Sequence, residues 1–386
     1  MTVEIHGLCE ERFKPLEEAF RANFDDGLEL GASLGVTHHG RMVVDLWAGW
    51  KDVERTHPWE KDTIVLVAST TKMMVTLAAL VLLDRGLLDL DAPIARYWPE
   101  FAQGGKGAVT VRDAFTHQAG VPGYDPPVAI EALYDWAGIT AHIAAEPHWF
   151  GGERVIAYHA STYGFVLGEL IRRIDGRMPG TFFREEIAEK ANADFHIGVS
   201  AAEFGRLAAL QMPIPPEVQP SLPPVIARVG ASLRIGAPDP WDYMSAQLPS
   251  ENGCGNGRSI ARLCAILAMG GELDNVRYLS RATVEAAASE QAYGVDDYLG
   301  LIRFGLGYGL HSEGFSAPSP TAFHWGGHGG SWGMMDMATE ISVGYAPNNW
   351  IVDPNQLLEP RQQRYFSAME ALLPTLAFSE AEPKGS

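Results

Sequence analysis

Cysteine is sparse in this 386-residue chain: Cys9, Cys254 and Cys264 form no CxxC pair and no even-numbered set, so neither a zinc site nor a disulfide scaffold is indicated. Positive charge is short as well. Twenty-nine Lys and Arg against 48 Asp and Glu give a formal net charge of -19, a surface that repels phosphate backbones and anionic lipid. No nucleic-acid or membrane partner is expected. The longest apolar run, residues 73–83, is broken by Thr76 and is too short to cross a bilayer, so it reads as a buried helix. Glu4 and Glu10 stand where an export signal needs a basic start and an unbroken apolar stretch. A reduced, cytoplasmic setting is the expectation. What is plentiful is ordinary: 46% hydrophobic and 20% charged residues describe a folded globular chain with room for one large domain or two smaller ones.

Both ends of the chain read as strands plus a helix. Residues 12–23 have helical spacing, and the β-branched and apolar runs 31–37, 41–48 and 63–68 read as strands, the first two joined by the turn His38-His39-Gly40. Residues 304–311, 331–337 and 341–346 are strand-like, and 356–373 is helical. Between these ends, 70–85, 111–117, 163–174 and 259–269 are mostly of helical spacing, three of them with a glycine in the position of a C-terminal cap. The pattern predicts an α+β architecture, an antiparallel sheet flanked by helices with a mainly helical subdomain inserted. Residues 1–68 and 298–378 would form the discontinuous sheet subdomain and 69–297 the helical one, with the active site between them. The proline-rich stretch 212–241 reads as a surface loop.

Chemistry is concentrated where a strand-like run meets a helix start, at Ala68-Ser69-Thr70-Thr71-Lys72. Three residues apart on a helix, Ser69 and Lys72 project from one face. The apolar sequence after Lys72 buries its amine, which disfavours the ammonium and fits it to accept a proton from serine. By itself Ser-x-x-Lys is a weak signal, equally met by a capping serine and a snorkelling lysine.

Two further segments strengthen it: Tyr158-His159-Ala160 before a helix, and the glycine-dense 323–331, with Trp325-Gly326-Gly327-His328, before a strand. With these three motifs in order, the chain resembles the serine β-lactamase and penicillin-binding-protein superfamily, and most of all its class C-like esterase branch, the family VIII carboxylesterases. The Thr116-His117-Gln118-Ala119-Gly120 loop and the Asn252-Gly253 turn also fall where that family has such features, so the resemblance spans nearly the whole chain.

The resemblance implies a β-lactamase/transpeptidase-like fold and an acyl-enzyme on Ser69, with Lys72 as proton acceptor and Tyr158 carrying the proton to the leaving group. The third motif would lie on an edge strand beside the nucleophile, and the backbone N–H groups of Ser69 and His328 would form the oxyanion hole. Trp325 stands where β-lactamases carry a lysine for the substrate carboxylate, and Ala160 where class C enzymes carry asparagine. Neutral esters are therefore expected over β-lactams. Trp325, Gly326, Gly327, Tyr124 and His159 are the candidate substrate-binding residues, His159 with a structural hydrogen-bonding role as its alternative. No cofactor and no metal is called for. Serine ester hydrolysis leads, acyl transfer to an alcohol uses the same groups, and a non-catalytic scaffold is disfavoured because Ser69, Lys72 and Tyr158 are all present.

Two other patterns compete for attention. Gly329-Gly330-Ser331-Trp332-Gly333 spells the nucleophile elbow of α/β-hydrolases, but no histidine follows Ser331, as that triad order requires. His38-His39 and the His324/His328 pair lack a third ligand at recognisable spacing. Aromatic residues near the motifs, among them Trp136, Trp149, Phe150, Trp241, Tyr243 and Trp332, are expected to rim an apolar pocket.

Overall fold

The two-residue period of the strands decides the layers. In the computed structural model, which describes residues 3–212, 222–234, 239–351 and 359–378, the strands used below are β1 (Ile5–Cys9), β2 (Gly31–His38), β3 (Arg41–Gly49), β4 (Val65–Leu66), β5 (His196–Ile197) and β6 (Gly253–Gly255). They continue with β7 (Ala292–Asp296), β8 (Gly300–Phe304), β9 (Gly309–Leu310), β10 (Phe323–Gly326), β11 (Trp332–Asp336) and β12 (Ile341–Pro347). The helices used below are α1 (Lys14–Asp25), α2 (Thr71–Asp84), α3 (Thr162–Asp175), α4 (Gly257–Ala268) and α5 (Pro360–Phe378).

Nine strands form one antiparallel sheet in the order β1-β3-β2-β12-β11-β10-β9-β8-β7. Ala32, Leu34 and Val36 of β2, with Ile341, Val343 and Tyr345 of β12, point to one face, where Leu16 and Phe20 of α1 and Phe366 and Met369 of α5 complete a core. Alternate residues face α4. There the side chains are small: Ser33 Oγ accepts from Gly257 N at 2.9 Å, and Ser342 Oγ donates to Ala261 O at 2.7 Å. A Cβ on Gly344 would lie 2.3 Å from Gly257 O, and one on Gly35 2.6 Å from it, so glycine at both positions lets the helix rest on the sheet. A second core lies beyond, uniting α2, α3 and α4.

The N- and C-terminal strands meet at the β2–β12 pair, with Val36 opposite Val343, as the sequence predicts. The β2–β3 turn holds His39 at φ 52° and Gly40 at φ 71°, the left-handed pair that matches the twist of a hairpin. Elsewhere the expectations need correction. The expected strand 63–68 shrinks to β4 and pairs with β6 in a separate three-stranded sheet, because the chain turns out of extended conformation at Ala68, φ 44°. Residues 304–311 split around a turn into the end of β8 and β9. From the expected 69–297 helical stretch, α4 goes to the sheet's inner face and β7 to its edge. The proline-rich stretch is not merely loop: its described parts carry helices Pro224–Ser232 and Pro240–Ser245, each with proline in the first turn where a missing N–H costs nothing, while 213–221 and 235–238 lie outside the described residues. The C-terminal helix runs Pro360–Phe378, residues 356–358 of the expected one lying outside the described residues. No helix among the described residues is long and apolar enough to cross a membrane.

Candidate active site

Backbone strain marks the site. Ala68 is a non-glycine residue in the left-handed region, and the single 3-10 turn Ala68–Thr70 that follows leads into α2. Thr71 Oγ1 fixes this turn, donating to Ala68 O at 2.5 Å and accepting from Gly253 N at 2.8 Å. Ser69 emerges half-buried. Its Oγ accepts from Lys72 Nζ at 3.0 Å and from Tyr158 OH at 2.8 Å.

Lys72 is 1% exposed and has two more acceptors, Ala160 O at 2.6 Å and Ser250 O at 3.0 Å. A neutral amine has two N–H bonds, so these carbonyls engage both and leave the lone pair aimed at Ser69 Oγ. Burial pulls the amine down to about 7, against the opposing charge of Glu251. Near neutral pH the amine therefore stands close to the balance between its charged and neutral forms. For Tyr158, burial pushes the phenol well above its usual range although the bond to Ser69 opposes this, so it stays a proton donor.

Tyr158 is held from several sides. Its N–H donates to Asp296 Oδ2 at 2.7 Å, and Asp296 Oδ1 accepts from the N–H groups of Tyr298 and Leu299 at 2.8 and 2.6 Å. The exposed Tyr298 ring stacks on Tyr158, centroids 5.6 Å apart and 10° from parallel. His117, buried at φ 59°, packs its ring 5.0 Å from Tyr158 and accepts from His159 N at 3.1 Å. Burial holds its imidazole neutral, well below the usual range.

Strand β10 approaches from the other side. It is interior to the sheet, not an edge strand as the resemblance implied, but β9 stops opposite His324, so Trp325 and Gly326 are paired toward β11 alone. At Gly327 a Cβ would meet Val67 O at 2.2 Å and Ser69 N at 3.1 Å, so glycine is needed for this segment to lie against the nucleophile turn. Ser331 completes the join, donating from Oγ to Val67 O at 2.7 Å and bonding to Thr70 Oγ1 at 2.9 Å. Both bonds clamp the glycine-rich segment to the nucleophile turn.

This serine, lysine and tyrosine arrangement coincides with a match to the Beta-lactamase family model over residues 20–364. The chain belongs to the Beta-lactamase family. Among curated relatives of this Beta-lactamase family member, Esterase/beta-lactamase LipL of Mycobacterium tuberculosis is 31% identical over 360 residues, 89% of this chain and 83% of its own. The crystal structure of a family VIII carboxylesterase is similar with a TM-score of 0.89 at 35% identity, covering 96% of this chain and all (100%) of that one. A penicillin-binding-protein homologue from Caulobacter crescentus is also 35% identical, with a TM-score of 0.85 and coverages of 96% and 100%. The fold is β-lactamase/transpeptidase-like.

The substrate-binding candidates are more scattered than expected. Trp325 is 3% exposed, wedged among His117, Tyr158, Phe304 and Phe315. Gly326 and Gly327 are half-buried beside it, and His328 is exposed with its ring edge-on to Trp350. Tyr124 and His159 are buried and already bonded, which corrects their assignment to substrate. Tyr124 OH pairs with Ser161 Oγ at 2.8 Å; His159 Nε2 accepts from Val121 N at 3.2 Å while Nδ1 bonds Ala157 O at 2.5 Å. The aromatic rim also dissolves: Trp332 lies in the outer core, Trp136 binds Glu169, and Trp149 lies under Arg228.

Neither histidine pair gathers as a metal site: His39 binds Glu340 at 2.7 Å, and His324 is buried on Ser316 O at 2.9 Å while His328 is exposed. Asp194, His196 and Glu203 do converge, but Arg206 pairs with Asp194 at 2.7 Å and with Glu203.

Sequence reasoning missed Ser250, Glu251, Asp296 and Tyr298. The Asn252-Gly253 turn pointed to the first two. For the others the usable signal is the turn composition Asp296-Asp297 with Gly300 four residues after Asp296, between the short runs 292–295 and 301–304.

Proposed function

We propose that the protein is a serine carboxylesterase working through an acyl-enzyme on Ser69. The observation that carries this reading is the Ser69 hydroxyl placed 3.0 Å from Lys72 Nζ and 2.8 Å from Tyr158 OH. The names of LipL and of the family VIII carboxylesterase support an ester as substrate.

Neutral Lys72 takes the Ser69 proton as Oγ attacks the ester carbonyl. The tetrahedral oxyanion is held by the N–H groups of Ser69 and His328. Tyr158 protonates the departing alkoxide and is reprotonated from the Lys72 ammonium. Water then attacks the acyl-enzyme, its proton passing to the same pair, and Ser69 leaves with a proton as the acid departs. Trp325 offers no cation to a substrate carboxylate, so neutral esters are favoured over anionic β-lactams. Three free cysteines fit a reducing compartment, the cytoplasm.

The test is covalent labelling with a fluorophosphonate, the adduct being located by peptide mass spectrometry, together with turnover of p-nitrophenyl butyrate. The reading expects an adduct on Ser69 and loss of turnover in step with it. An adduct on Ser331, or turnover that survives complete labelling of Ser69, would overturn it.

A further inference from the structure

We infer that Glu251 is a positioning residue for Lys72, locking the carbonyl that orients the amine and facing that amine with a negative charge. The inference rests on the reading of Lys72 as the base.

The lock is visible in the hydrogen bonds on either side of the peptide. Ser250 O accepts from Lys72 at 3.0 Å, and Ser250 Oγ accepts from Gly164 N of α3 at 2.6 Å. One residue on, Glu251 Oε1 accepts from Ser161 Oγ at 2.9 Å, and Ser161 in turn bonds Tyr124 OH at 2.8 Å. Because Ser161 donates to the carboxyl, its oxygen is left to accept from Tyr124, and both hydroxyl protons point toward Glu251. Burial raises the Glu251 carboxyl above its usual range, and the Ser161 donor and the Lys72 charge oppose that rise. Asn252 closes the far side, donating to Tyr243 O and Ala246 O at 2.7 Å each. The Ser250 carbonyl is therefore held by the segment's neighbours rather than by Lys72 alone.

Charge completes the argument. Around Lys72 stand Ser69, the Tyr158 ring at 5.0 Å, and His117 and His159, both kept neutral by burial. Around Glu251 stand Ser161 and the phenols of Tyr124, Tyr134 and Tyr243, all pushed up by burial and by this carboxylate. Among these groups, Glu251 is the carboxyl whose charge acts on Lys72, and the amine's charge in turn favours the ionised carboxyl. Burial lowers the amine; the carboxylate keeps the fall from going further. A base whose pKa falls far below the working pH loses proton affinity and hence driving force.

The experiment is the pH profile of kcat/KM for a p-nitrophenyl ester in the parent, Glu251→Gln, Glu251→Asp and Lys72→Ala. Removing the negative charge lets the amine deprotonate at lower pH. The acid limb of Glu251→Gln should move acidward, so that at about pH 5.5 it keeps several-fold more of its own plateau rate than the parent does. Glu251→Asp should keep the parent limb. A uniform fall at every pH in the Gln variant, with its limb unmoved, would overturn the inference, as would an Asp variant that shifts like the Gln variant. If Glu251→Gln does not fold, Ser161→Ala decides. It leaves the carboxyl but removes the donor that favours its charged form, so its limb should move the same way; an unmoved limb rejects the inference. Lys72→Ala separates the two readings, because an active Lys72→Ala variant would remove the base itself, whereas an inactive one beside an unmoved Gln limb rejects Glu251 alone.

Discussion

Two buried lysines, Lys72 and Lys106, sit in nearly matching cages. Each is at most 1% exposed, each faces a glutamate that opposes the effect of burial, and each gives its amine three acceptors. Lys106 donates to Gln103 O at 2.9 Å, to Ala144 O at 3.1 Å and to Glu146 O. Burial brings it to about 8, and Lys72 to about 7. The difference lies in the third acceptor. Three carbonyls call for three N–H bonds and hence the ammonium, so Lys106 ties the Gln103 turn to the 144–146 segment. Two carbonyls and a hydroxyl allow the proton to leave, which suits Lys72 to the base role proposed for it. Burial alone does not make a lysine catalytic; an acceptor that can become a donor does.

Removing that acceptor should have the largest effect. Ser69→Ala should cost about a thousandfold or more in p-nitrophenyl butyrate turnover with an unchanged circular dichroism spectrum, while Ser331→Ala should keep activity within several-fold. The reverse result would move the site to Ser331.

Exchanging the lysines' fates comes next. Lys72→Ala should lower kcat by about a hundredfold or more with less change in KM, and Tyr158→Phe should do likewise. Lys106→Met should instead leave kcat within several-fold and destabilise the fold by about 2 to 4 kcal/mol, read from urea unfolding, because three buried carbonyls lose their donor. Equal kcat losses at 72 and 106 would end the contrast.

The same contrast appears in the parent's pH profile. In the proposed mechanism neutral Lys72 is the active form, and its amine lies near 7, so kcat/KM should rise with pH through about 7 and fall about tenfold per unit below it. A flat profile from about pH 5 to about pH 9 would exclude this base.

The smallest effect concerns a third lysine. Trp325→Lys would replace the buried indole beside Tyr158 with an amine on a long flexible stem, which can extend out of the aromatic wedge toward a substrate carboxylate. The cephalosporin-to-ester ratio of kcat/KM should rise by about tenfold, the worth of one charge-assisted contact. A parent that already prefers the cephalosporin would overturn the esterase reading.

Legibility in the sequence followed distance along the chain. Ser69 and Lys72 are one turn apart, and helix geometry alone joins them. Tyr158 bonds to a serine 89 residues away, and the family resemblance, rather than any local rule, pointed to it. The two carbonyls that orient Lys72 belong to Ala160 and Ser250, and a backbone oxygen leaves no trace in residue identity. Side chains misled in the other direction. Tyr124, His159 and Trp149 are types that serve binding sites well, yet each satisfies its polar atoms inside the fold. Strands β2, β3, β11 and β12 were readable because runs of β-branched and apolar residues are local, and the turn His38-His39-Gly40 joined the first two. The seat of α4 on the sheet was not, since glycines on three distant segments make it and none signals its partner.

That seat has a consequence for anyone mapping this protein by mutation. Gly35, Gly257 and Gly344 meet backbone at 2.6 Å or less wherever a Cβ would go, and no rotamer change relieves a clash with backbone. The lead into α4 runs straight from Ser250 through Gly253, so a helix pushed off its seat drags the lysine's carbonyl with it. In a saturation library scored on turnover alone, these three positions would rank with Ser69 itself. Only a parallel score for abundance would tell the two kinds of dead variant apart.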